Sequence, residues 1–185
     1  EIRFCDWSSD VCSSDLTPKV EDAALSDEER SYLAVNRGWA EVERGYSSIQ
    51  STKPQTIGYG LNDSPAGLAA YLGEKWRSWS DVTPPDDFLC ATLTLYWFTQ
   101  TITSSMRDYW DNRRYPVDPT YIATPTAFGI FANETVPEGE PPRSYLERLY
   151  NVRRWTVFPR GGHFASAEEP VAVAGDLCAF FRELS

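Results

Sequence analysis

The stretches YIATPTAFGIF at 121–131 and RWTVF at 154–158 decide the fold. Both are short, apolar and rich in β-branched or aromatic residues, and both are bounded by Pro, Gly and Asn, which is the pattern of strands rather than helices. Between them lie a loop, NETVPEGEPP at 133–142, and a short helical segment at 145–149. After the second strand comes PRGGHF at 159–164, and Pro170 then opens a last amphipathic helix through Val171, Ala174, Leu177, Cys178, Phe181 and Leu184. Strand, loop, helix, strand, loop, helix implies parallel pairing and an α/β class. Only two or three strands are visible, few for such a sheet, so the reading is an incomplete parallel sheet.

Upstream the pattern changes to helices. Ser26 and Glu29 form a capping box, with Asp27 and Glu28 favourable in the first turn. Tyr32, Val35, Trp39, Val42 and Tyr46 then recur at helical spacing, and Gly45 marks the end of that helix. Residues 47–63 are polar and Gly-rich and read as a loop. Ser64-Pro65 is a second start signal, Ser as cap and Pro in the first turn, followed by Leu68, Ala69, Leu72, Trp76 and Trp79. The spacing predicts one long helix over about 87–111, with Phe88, Leu95, Ile102, Met106 and Tyr109 on or near one side. LTLYWF at 93–98 leaves a strand open locally. Trp97 and Trp110 read as packing residues.

Composition excludes several functions. The chain has 185 residues, 17 basic against 27 acidic side chains, and a net charge of −10. So acidic a surface repels phosphate, and nucleic acid is not expected as a partner. No apolar run is long enough for a membrane span, and a cytoplasmic location is expected. Four Cys are too few and too scattered for a disulfide scaffold or a zinc pairing. Cys90 and Cys178 read as small buried hydrophobes. Residues 1–16, EIRFCDWSSDVCSSDL, repeat Ser-Ser-Asp at a spacing of five, which fits neither helix nor strand. They read as a translated linker or assembly scar, the alternative being a natural disordered tail. The expected division is 1–16, then a helical region over 17–115, then the strands and helices of 116–185.

The single His, His163, must carry any imidazole chemistry. In open α/β sheets the loops at the C-terminal ends of strands hold the site. One such loop carries Glu134 and the other Gly161-Gly162-His163. A carboxylate on one ring nitrogen fixes the tautomer and leaves the other nitrogen free to accept a proton. Acid followed by His in chain order matches the last two members of an α/β-hydrolase triad.

From about Arg30 onward the chain resembles the C-terminal half of a microsomal-type epoxide hydrolase, of the α/β-hydrolase superfamily. The resembling stretches are GYSSIQSTKPQTIGYGLNDSPAGLAAYLGEKWRSWSD at 45–81, LYWFTQTITSSMRDYW at 95–110, TPTAFGIFANE at 124–134 and PRGGHFASAEEP at 159–170. The resemblance implies part of a helical cap over 17–115 and the last strands and helices of the hydrolase core over 116–185. It implies a two-step reaction in which an Asp attacks an epoxide carbon to form an ester and a His-activated water hydrolyses it to a diol. By motif, the His is His163, the acid is Glu134, and the two phenols that hydrogen-bond the opening epoxide oxygen are Tyr46 and Tyr109. Glu138 and Glu140 share the acid's loop, and the spacing from PTAFGIF favours Glu134.

The implied substrates are a small apolar epoxide and water, with no metal and no cofactor. The family's elbow Asp and its HGWP-like loop are not found in this sequence. The expectation is therefore a fragment that does not turn over alone, with uncovered sheet edge and an aggregating or molten state. Two rivals stand beside it. One is another α/β-hydrolase such as a dehalogenase, which would hold a halide with donors such as Trp. The other is a non-catalytic binding protein of the same origin, which would unfold cooperatively.

Overall fold

The structure is a computed structural model that describes residues 18, 20–116 and 120–185. The reading of residues 1–16 falls outside them. The helices are α1 (Asp27–Glu43), α2 (Gly45–Thr52), α3 (Pro54–Asp63), α4 (Pro65–Trp79), α5 (Asp86–Thr99), α6 (Ile102–Ser105) and α7 (Arg107–Arg114). Strand β1 (Ile122–Phe131), α8 (Arg143–Glu147), strand β2 (Tyr150–Phe158), α9 (Ala165–Glu168) and α10 (Pro170–Glu183) complete the described order.

The start signals act as their chemistry dictates. Ser26 Oγ accepts the Glu29 N–H at 3.2 Å, and Glu29 accepts the Ser26 N–H at 2.8 Å, closing the box. The Glu29 carboxylate also takes two Arg148 hydrogen bonds, at 3.0 and 2.9 Å, tying α1 to the approach to β2. Those bonds, above all, hold the Glu29 carboxyl down at about 2. Ser64 Oγ accepts the Gly67 N–H at 3.0 Å and opens α4.

The region read as a loop, 47–63, is two helices. Gly58 lies where a Cβ would stand 2.4 Å from the Thr103 hydroxyl oxygen, so the glycine serves close helix packing and not a turn. The single long helix is three helices, interrupted where Gln100 takes φ 53°. LTLYWF is helical throughout. Ile102, Met106 and Tyr109 are buried as expected, whereas Phe88 and Leu95 are exposed, since α5 packs through Leu89, Leu93, Tyr96 and Trp97 instead.

Among the described residues the sheet has two strands, β1 and β2, paired in parallel as the strand–helix–strand order requires. The ladder is regular from Ala127↔Arg154 to Phe131↔Phe158, and its irregularities lie nearer the start of β1. Neither strand contains a fully buried residue. On α10 the inward residues are Val173 and Phe180, and the expected face through Val171, Ala174, Cys178 and Phe181 is exposed. An ion pair decides the difference: Asp176 accepts hydrogen bonds from Arg154 and Thr156 of β2 at 2.8 and 2.7 Å, turning its side of the helix toward the strand. Cys90 is exposed as well, so neither thiol is a core residue.

Among the described residues three apolar clusters organise the molecule. Leu61, Leu68, Leu72, Ile102 and Met106 form the helical core. Leu25, Tyr145 and Leu146 join α8 to the N-terminal turn. Trp76, Trp79, Leu89, Val136 and Phe164 join the helices to the two loops that follow the strands. There the Trp76 and Phe164 rings stack at 3.8 Å between centroids.

Candidate active site

Parallel strands deliver both of their C-terminal loops to one end of the sheet. The loop after β1 carries Glu134 and the loop after β2 carries His163. Glu134 Oε2 lies 3.3 Å from His163 Nδ1, and both side chains are 7 % exposed. A carboxylate acceptor there assigns the proton to Nδ1 and leaves Nε2 as the basic nitrogen. The other carboxylate oxygen accepts the Val136 N–H at 2.8 Å, which fixes the acid's orientation. Of the three acids in that loop, Glu138 is engaged in an ion pair with Arg44. Glu140 is exposed as a residue, and partial desolvation of its carboxyl group, then the charge of Glu134, raises it from its ordinary value. Glu134 is the one in contact with the imidazole.

Tyr46 near the start of α2 and Tyr109 in α7 come together from 63 positions apart, with ring centroids 6.2 Å apart and edge-on. The Tyr46 hydroxyl is buried without a hydrogen-bond partner in the structure. A buried phenol in that state retains a donor for an incoming acceptor. Trp79 bridges the two pairs: its ring lies edge-on to Tyr46 at 5.4 Å and to His163 at 5.0 Å. Trp79 thus touches one member of each pair, His163 and Tyr46.

The sequence reading passed over two members of this neighbourhood. Trp79 had been read only as a core residue of its helix. Lys75, one turn earlier on α4, is 8 % exposed and stands over the Tyr46 ring at 5.1 Å and the Trp79 ring at 4.8 Å. Its charge is compensated by Glu74 at 3.0 Å and Glu43 at 3.5 Å as well as by the ring faces. The i, i+4 spacing of 75 and 79 was the available signal. Among the described residues no group of three or more His, Cys, Asp or Glu side chains is arranged to hold a metal ion. No described helix is long and apolar enough to cross a membrane.

An acid loop and a histidine loop on successive parallel strands, beneath a helical layer, belong to the α/β-hydrolase class, and solved structures agree. The juvenile hormone epoxide hydrolase of Bombyx mori superposes with a TM-score of 0.75 at 30 % identity, over 86 % of this chain and 42 % of that one. The Aspergillus niger epoxide hydrolase superposes with a TM-score of 0.74 at 28 % identity, over 91 % and 44 %. The described fold is a portion of an α/β-hydrolase with helices that cap it. In sequence the chain is 38 % identical over 156 residues to epoxide hydrolase 1 of Sus scrofa, covering 75 % of this chain and 34 % of the relative. It is 38 % identical over 152 residues to juvenile hormone epoxide hydrolase 2 of Ctenocephalides felis, covering 73 % and 32 %. The chain is homologous to the epoxide hydrolases and spans about a third of the length of these relatives. No family model matches it.

Proposed function

We propose that the chain supplies the water-activating pair and the epoxide-binding phenols of an enzyme that hydrolyses a small apolar epoxide to a vicinal diol. The observation that carries the reading is that Trp79 links two pairs, touching His163, which meets Glu134, and Tyr46, which meets Tyr109. In this reading an aspartate attacks one epoxide carbon, the C–O bond breaks, and the phenols donate hydrogen bonds to the oxygen as it gains charge. A phenol O–H is a hydrogen-bond donor. His163 then takes a proton from water through Nε2 while Glu134 stabilises the imidazolium; the hydroxide adds to the ester carbonyl carbon, the acyl C–O bond breaks to return the aspartate carboxylate, and the imidazolium proton passes to the departing diol. The aromatic surround favours an apolar substituent on the epoxide.

The described residues hold no aspartate on a strand-to-helix elbow, so the 185-residue chain is expected to form no diol. Diol assay of the purified chain against a His163→Ala control checks this, and turnover above the control contradicts it. The chemistry itself is tested by expressing the chain with the upstream sequence of its gene. An aryl epoxide should then yield diol, with His163→Ala reducing the rate by about 10²-fold or more. Tyr46→Phe should reduce it by about 10- to 100-fold through loss of one donor. Release of halide from an alkyl halide in place of diol formation would favour a dehalogenase.

A further inference from the structure

Two carboxylates that touch neither His163 nor the phenols converge on the backbone that carries the acid and the base. Four consecutive N–H groups are all committed there. Gly161 donates to Asp81 Oδ2 at 3.0 Å, Gly162 to Glu168 Oε2 at 3.2 Å, His163 to the Trp79 carbonyl at 3.0 Å, and Phe164 to Glu168 Oε1 at 3.1 Å. The same Glu168 Oε2 accepts the N–H groups of Asp81 and Val82 at 2.7 and 3.1 Å. The same Asp81 Oδ2 accepts the Asn133 side-chain amide at 2.9 Å, one residue before Glu134. Asn133 in turn donates its backbone N–H to the Gly161 carbonyl at 3.2 Å. Three segments meet at these two side chains: the acid loop, the histidine loop and the connection that follows α4.

The packing leaves this arrangement little slack. A Cβ on Gly162 would stand 2.6 Å from the Asp81 nitrogen and 2.8 Å from the Trp79 oxygen, and Gly161 has φ +100°. The histidine loop therefore passes so near the end of α4 that a side chain at 162 would meet its backbone.

We infer that Asp81 and Glu168 are positioning residues: they set the distance between Glu134 and His163 and hold His163 against Trp79. Neither reaches the reacting atoms; each acts through the backbone or through Asn133. The hydrogen bonds to Asp81, that from Asn133 first and that from Gly161 next, hold its carboxyl below the usual carboxylate range, in keeping with a charged acceptor. The inference rests on the proposed acid–base pairing, and its test separates the two.

The chain contains one histidine, so a ¹⁵N-labelled sample gives one imidazole spin system. Its two ring-nitrogen shifts report the tautomer directly. The wild-type chain should show His163 predominantly protonated on Nδ1, and Glu134→Ala should abolish that preference. Asp81→Ala and Glu168→Ala should each reduce the Nδ1–H to Nε2–H ratio at least twofold while near-ultraviolet circular dichroism is retained. Asp81→Asn and Glu168→Gln, which keep one acceptor oxygen, should restore part of it. An unchanged ratio in the folded variants overturns the positioning role and leaves the acid–base pairing standing. Loss of the near-ultraviolet signal in all four variants assigns the carboxylates to general folding and also overturns it. A wild-type chain without the Nδ1–H preference contradicts the pairing itself, and the positioning role with it.

Discussion

The helices of residues 27–114 and the strands of residues 122–158 dispose of their apolar side chains differently. In the helical core Leu72, Ile102 and Met106 have no exposed surface and Leu68 has 1 %. In β1 and β2 no residue reaches that state, and Val157 is 65 % exposed. The helices enclose a core among themselves through Leu61, Leu68, Leu72, Ile102 and Met106, although Val35, Val42 and Leu95 stay exposed. A two-stranded sheet has two faces and two edges and cannot cover them from within. The candidate site lies at the seam, where Trp76 and Trp79 of α4 meet Val136 and Phe164 of the strand-end loops. Its geometry depends on the rigid region for the aromatic residues and on the exposed region for the acid and base.

The contrast can be broken by substitution. Leu72→Ala should cost about 2–5 kcal/mol, because a fully enclosed side chain leaves a cavity the helices cannot fill. Urea unfolding measures it, and a cost below about 1 kcal/mol would show that the helical core is as loosely held as the sheet. The tether between the regions comes next. Glu29→Gln should cost about 1–3 kcal/mol by weakening charge-assisted bonds from Arg148. The folded Glu29 carboxyl, at about 2, lies below its ordinary 4.5, so its contribution is complete above that ordinary value. It is lost as the pH falls through about 2, and unfolding measured across that window should show the loss in wild type and not in Glu29→Gln. Ser26→Ala should cost about 1 kcal/mol by opening the capping box, read as a lower unfolding midpoint. Val157→Ala on the exposed strand face should change stability by no more than about 0.5 kcal/mol, and a larger cost would reveal that this face is covered in solution.

Local chemistry was the legible part of the sequence. Ser26 with Glu29, Ser64 before Pro65 and Pro170 each mark a helix start through groups within three residues, and each marks it correctly. Parallel pairing followed from element order. The errors arose where a distant neighbour decides. Gly58 looks like a turn residue until Thr103 arrives beside it. Gln100 carries no sign of the left-handed conformation it adopts. The buried side of α10 is chosen by Arg154 and Thr156 of the strand, since apolar residues lie on more than one side of that helix. At the site, motif resemblance selected Glu134, His163, Tyr46 and Tyr109, and the structure pairs Glu134 with His163 and Tyr46 with Tyr109, with Trp79 between His163 and Tyr46. Nothing local marked Asp81 or Asn133, whose importance exists only once three segments are folded against each other.

The regular stretch of strand pairing, ending at Phe131↔Phe158, works as a ruler. Glu134 and His163 lie three and five residues beyond that last rung, so their separation is counted from it. Sliding one strand by a single step would displace the acid by about 3.3 Å and exchange the faces of the ladder. A proton-sharing contact does not survive such a displacement, and the stacked Phe131 and Phe158 rings, 4.7 Å apart, would be unstacked by it as well. Alignment of the two strands and the Glu134–His163 contact are, in this molecule, one and the same condition.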